Sequence, residues 1–302
     1  MADLYDKLTP NKLEENPAKN EIIQLLNKYR KVTEDIDREA SKLLRGIENP
    51  VNKTQIIERL KKLSKMADKS LASLEQSAEN WARIAAPKSN LSGQALADSF
   101  IKKQSKIIDE NGKVIQILDL KPKDKAVIKE IIDRVTEEVL REVNLINDSW
   151  RKRFDDIVRE GIKETRGIKL IKKPGSRGSI QTWKETGSRL YQRINDEGLK
   201  LIDSAGRKWT PERYVRMYSR TRTRELQTQG IENRMNDYGL DLVKISEHVD
   251  VDGMDICNEY EGRVFSLSGD HPDYPALNAH TPFHPNCAHI ETPYIEKYQK
   301  NK

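Results

Sequence analysis

All five histidines and both cysteines lie between His248 and His289, and residues 1–247 contain neither type. Imidazole and thiolate are the side chains that bind transition metals, so their confinement to one stretch reads as a metal site. The densest part is His284-Pro285-Asn286-Cys287-Ala288-His289, with Cys257 upstream in a turn-rich segment. Cys287 and His289 are two positions apart, so in extended backbone both side chains leave the same face. His248 precedes the turn and can approach the same point from a strand. A structural zinc takes four nitrogen or sulfur ligands in a tetrahedron. The residues therefore read as one zinc held by His248, Cys257, Cys287 and His289, with His284 in reserve. His271 and His280 flank a Pro- and Asp-rich loop and read as solvated. A metal would replace the core that this tail, poor in large apolar residues, lacks.

Other chemistries are written less clearly. There is no His-Glu-x-x-His helix and no Gly-x-Ser-x-Gly elbow. The glycines of 167–179 lack the order of a phosphate-cradling loop. A His/Cys cluster beside Asn286 leaves a metal-dependent nuclease of HNH-like type as an alternative, which would need an open metal position and a substrate cleft. The charge around the cluster argues against it. Residues 231–302 carry 6 Lys+Arg against 13 Asp+Glu, a field that repels a scissile phosphate. The expectation is a protein without hydrolytic activity.

The basic charge lies elsewhere. Residues 151–230 carry 21 Lys+Arg against 10 Asp+Glu, within a chain of net charge +6. Lys172, Lys173 and Arg177 stand in the glycine-rich break, and Arg213, Arg216, Arg220 and Arg224 recur at three- to four-residue spacing on one helical face. These seven residues are the candidate contacts to DNA, bound without sequence preference. A solvated face explains them equally well, and a free-standing DNA-binding protein is a further alternative.

The elements that carry these residues are mainly helical. Charged residues make up 34% and hydrophobic residues 36%, a core-poor balance that suits long exposed helices. No apolar run is long enough for a spanning helix, and the N-terminus has no export signal, so reduced thiols or thiolate–metal bonds are expected. Ile22, Leu25, Leu26, Tyr29, Val32, Ile36 and Ala40 predict a helix over 19–47. A second is predicted over 54–85, stopping before Pro87, and a shorter one after Asn90-Leu91-Ser92-Gly93. Val114–Leu120 alternates as a strand, and a long helix runs from Pro122 to about Thr165. Further helix is predicted over 181–196, a hairpin over 198–209, and a helix from Thr210 to Tyr238 before a β-rich tail. The fold class is mainly α: an elongated helical region over 1–166, a basic Gly-rich loop over 167–180, and a small α+β domain over 181–302 with a zinc clip. Long apolar seams of this kind leave room for self-association or a partner helix.

Two blocks carry a family resemblance. One is Ser246-Glu247-His248, then Cys257 with Gly262-Arg263-Val264-Phe265, then His284-Pro285-Asn286-Cys287-Ala288-His289. The other is Asp203 to Trp209 with its Gly206-Arg207-Lys208-Trp209 hairpin, followed by Tyr214 and Ser219-Arg220-Thr221-Arg222. Together they resemble phage head morphogenesis proteins of the Mu F type and the related phage minor capsid protein 2 family. The match covers about 195–295; the N-terminal part agrees in its helical character. Two positions depart from the pattern: Met254 stands where a further cysteine is common, and Ala288 where a basic residue is usual. The resemblance implies a structural minor capsid or head morphogenesis protein of a tailed phage or prophage. It implies action near the portal, contact with the portal protein and the major capsid or scaffold protein, and association with DNA. Its implied places are the capsid interior or portal vertex of the virion and the bacterial cytoplasm during assembly.

Overall fold

The computed structural model describes residues 16–45, 52–104, 106–108, 114–117, 127–167, 178–203, 205–247, 256–285, 287 and 289–296. The chain is mainly helical with a small C-terminal sheet. The helices are α1 (Lys19–Leu44), α2 (Lys53–Gln104), α3 (Val127–Gly167), α4 (Gly178–Arg193) and α5 (Pro211–Asp237). None of the described helices is long and apolar enough to cross a membrane. Strands β1 (Lys106–Ile108) and β2 (Val114–Ile117) pair antiparallel, as do β3 (Leu201–Ile202) and β4 (Lys208–Trp209). A three-stranded antiparallel sheet follows, in the order β6 (Val264–Ser266), β5 (Leu242–Ile245), β7 (Glu291–Pro293).

The described residues form two compact units. One draws on Ile23–Asn80 and Leu140–Arg216, the other on Met1–Ile22, Trp81–Val139 and Met217–Lys302. In the first, the α1 stripe predicted from periodicity is buried: Leu25, Tyr29, Val32, Ile36 and Ala40 are all nearly inaccessible. Tyr29 stacks on Trp150 with ring centroids 6.2 Å apart and donates its hydroxyl to Asn147. Trp150 Nε1 donates to the Gly198 carbonyl at 2.8 Å, in the π-helical turn Ile194–Gly198 that ends α4. The predicted hairpin is present. Asp203 Oδ1 accepts from the backbone N–H groups of Ala205 and Arg207, and its Oδ2 accepts from Arg207 and from Trp209 Nε1 at 2.9 Å.

In the second unit α2 continues through Pro87, where the sequence predicts a stop. A proline inside a helix costs about 3 kcal/mol. Trp81, Ala82, Ala85, Ala86, Ala97, Phe100 and Ile101 are all buried, so one apolar stripe runs across the proline and offsets that cost. Gly93, read from sequence as part of a breaker, is a point of backbone contact. A Cβ at Gly93 would stand 1.9 Å from the Gln227 carbonyl oxygen, and one at Gly230 would stand 2.1 Å from that of Asn90. α2 and α5 thus cross at glycine on both sides. Beyond the crossing, Arg234 donates to both oxygens of Asp98, at 2.7 and 3.0 Å. The sheet closes this unit through Val243, Ile245, Phe265 and Leu277, which pack with Ala97, Ile101, Ile231 and Met235.

Candidate metal centre

The cassette hangs from β5. Gly262 holds the turn into β6 with φ +68°, and its N–H donates to the Ile245 carbonyl at 3.2 Å. Any side chain there would strain the backbone and strike Glu247. Just upstream, the short 3-10 turn Ile256–Glu259 carries Cys257. Residues 267–290 then return to β7. Ser246 fixes their end: its N–H donates to the Ile290 carbonyl at 3.0 Å, and its hydroxyl accepts from Ile290 N at 3.1 Å. Tyr260 stacks on Phe283 with centroids 4.5 Å apart, an apolar wall beside the thiols.

This framework brings both cysteines together, 1% and 5% exposed. Their sulfurs stand 3.7 Å apart with no disulfide between them. A disulfide needs about 2.05 Å. Two thiolates on one tetrahedral zinc, each at about 2.3 Å, are separated by about 3.8 Å. Donor atoms of Cys257, His284 and Cys287 all lie within 4.8 Å of one another, so the cluster could hold a metal ion. His284, the reserve ligand, is thus grouped with both sulfurs, and its Nδ1 lies 3.0 Å from the Pro285 carbonyl.

His289, a predicted ligand, touches this group at one sulfur and is not among its three mutually close donors. Its Nδ1 faces Cys287 Sγ at 3.4 Å, and its Nε2 meets Glu261 Oε1 at 2.5 Å. A metal-bound imidazole commonly donates its other ring N–H to a carboxylate, which fixes tautomer and orientation. Glu261 would take that place were His289 a ligand, a pairing no local spacing announces. Burial pushes the Cys287 thiol up, but the hydrogen bonds from His289 and from backbone outweigh it and leave the thiol lowered to about 7. Burial would lower His289, yet its contacts with Cys287 and Glu261 raise it. The shift at Cys287 runs toward thiolate, the form that binds metal. Predicted ligand His248 lies outside the described residues.

The predicted DNA contacts have varied surroundings. Lys172, Lys173 and Arg177 lie outside the described residues. Arg213 is exposed. Arg216 donates to Glu212 at 3.0 Å, and Glu212 also takes two hydrogen bonds from Arg30, so its carboxyl is held below the usual range. Arg220 is half-buried. Arg224 is 7% exposed and donates to Gln227 at 3.2 Å, so it faces protein. In the first unit a cleft beside Trp150 gathers Arg153, Arg193, Glu160 and Glu197. These charges pair among themselves, Arg153 with Glu197 and Arg193 with Glu160.

A family model described as Phage minor capsid protein 2 matches residues 8–302. No curated protein and no solved structure matches the chain. The match takes in the helical body together with the Cys/His cassette, and the chain therefore belongs to the phage minor capsid protein 2 family.

Proposed function

We propose that the protein works by assembly in the phage head, with its C-terminal fold pinned by one zinc ion, and has no hydrolytic activity. Membership of a minor capsid family supports a structural role in the head in general terms. The observation that carries the zinc reading is the pair of buried, unbridged sulfurs 3.7 Å apart, with a His284 nitrogen within 4.8 Å of both. Cys257, His284, Cys287 and His289 would hold the ion, and His248 remains a proposed alternative ligand. Zinc, when bound, supplies a fixed crosslink without redox chemistry. The chain's own residues do the rest. Glu261 holds the His289 ring, and both thiols are buried. A fourth protein ligand, His289 or His248, would close the ion to substrate.

We further propose contacts with the portal protein, with the major capsid or scaffold protein, and with DNA through the basic stretch 151–230. The charge excess of that stretch supports the last of these. The place of action is then the capsid interior or portal vertex. Co-purification of the full chain with portal protein tests the assembly reading. Retention on portal is expected, and absence of retention by portal, scaffold and capsid protein alike would contradict it. Incubation with supercoiled DNA and magnesium or manganese tests the rest: nicking lost in His284→Ala would mark an open, catalytic metal instead.

A further inference from the structure

A second cluster stands apart from the thiols, where α5 meets the loop that leads into β7. Glu232 lies one helical turn beyond Thr228 on α5. Thr228 is hydrogen-bonded through its hydroxyl to that of Thr281 at 2.9 Å, so this face of α5 meets the loop at 280–281 directly. His280 Nδ1 lies 2.6 Å from Glu232 Oε1 and 3.7 Å from Glu291 Oε1. Glu291, the first residue of β7, is fully buried. Donor atoms of Glu232, His280 and Glu291 all lie within 4.8 Å of one another.

The hydrogen bonding of this cluster is incomplete. Glu291 Oε1 accepts from Thr281 N at 2.8 Å, whereas Glu291 Oε2 is buried with no hydrogen-bond partner among the described residues. His280 and Glu232 form an ion pair at 2.6 Å, and the two carboxylates raise the imidazole to about 10. A proton on His280 offsets one of the two negative charges and leaves Glu291 Oε2 without a partner among the described residues. An uncompensated buried carboxylate is costly, and a cation removes that cost.

We propose that Glu232, His280 and Glu291 form a binding site for a divalent cation that takes nitrogen and oxygen ligands. Two carboxylates balance its charge, and no thiolate is present, which separates its preference from that of the cysteine site. The imidazole is half exposed, leaving an approach from solvent for the ion and for water ligands. Bound there, the cation would fasten α5 to the loop and to β7, and so fix the helix against the sheet from a side the thiols do not reach.

Manganese is the probe. The full chain, purified with its zinc, is titrated with Mn2+ while free ion is followed by electron paramagnetic resonance, and the melting temperature is recorded at each concentration. One saturable Mn2+ per chain is expected, with a melting temperature that rises with ion concentration. Glu232→Gln and His280→Gln should each weaken binding by about tenfold or more while leaving any metal at the cysteine site unchanged. Wild-type protein with no saturable Mn2+ site, or variants that bind as wild type does, would overturn the proposal. Were either variant to unfold, the wild-type stoichiometry and the concentration-dependent melting shift would still decide it.

Discussion

Glu261 and His289 meet at 2.5 Å across 28 residues of sequence, and the opposite ring nitrogen of His289 faces Cys287. The carboxylate comes from the turn after Cys257, the imidazole from the loop that ends at β7. Their meeting fixes the imidazole so that Nδ1 is turned toward Cys287 Sγ. Glu261→Gln should therefore weaken zinc about 10- to 100-fold, the usual effect of losing an orienting carboxylate. Chelator competition on the purified chain measures this. Unchanged affinity would mean that the contact is a plain ion pair.

Removing the sulfurs should act locally. The double variant Cys257→Ser/Cys287→Ser is expected to lose bound zinc and protection of β5, β6 and β7 amides, with most of the helical signal retained. Hydrogen exchange by segment and far-UV circular dichroism check the two halves. Full exchange protection in the sheet of the metal-free variant would show that Phe265, Val243 and Ile245 suffice as a core.

The glycine crossing has a sign that ordinary helix propensity does not share. In an exposed helix, Gly→Ala stabilises by about 1 kcal/mol. At Gly93 the new methyl would sit 1.9 Å from the Gln227 carbonyl oxygen. Gly93→Ala should instead destabilise by about 1–3 kcal/mol or more, through overpacking against backbone. Thermal melting gives the sign directly, and an increase would contradict the crossing.

Much of this arrangement follows from local pattern. The α1 stripe and the Asp203–Trp209 hairpin are readable because each depends on residues close in sequence. The end predicted at Pro87 failed because tertiary burial on both sides of the proline outweighs its local penalty. Glu261 and the Glu232–His280–Glu291 cluster were not legible for a related reason: each joins side chains from separate elements, and His280 alone reads as a solvated loop residue. Equal spacing of arginines on α5 says nothing of what each one faces, and Arg224 turns out buried where Arg213 is exposed.

The hairpin also has a pH signature. The Trp209 hydrogen bond leads the effects that lower the Asp203 carboxyl from 3.8 to about 2, helped by backbone and side-chain bonds from Arg207 against the opposing effect of desolvation. A depressed folded value means the stabilisation is complete above the ordinary carboxylate range and is lost as pH falls through the folded value. The Trp209 indole N–H should therefore stay protected in NMR exchange below pH 3.8 and open near pH 2. In Asp203→Asn this acid transition should vanish. Opening already in the ordinary carboxylate range would contradict the assigned bonds.

DNA association should depend on basic residues of the stretch 151–230. Reversal of Lys172, Lys173 and Arg213 to Glu is expected to weaken non-specific duplex binding at low salt and to flatten its salt dependence by about one unit of log–log slope per lost phosphate contact. Fluorescence anisotropy against salt checks it. Identical slopes would leave the basic stretch as a solvated face, free to meet an acidic protein rim.

The structural role itself is tested most directly by quantitative mass spectrometry of purified phage heads assembled with this chain or with its Cys257→Ser/Cys287→Ser variant. Wild-type chain should be found in the heads in a few copies per particle, and the variant should be reduced or lost. Complete heads that contain none of the wild-type chain would contradict a place in the capsid.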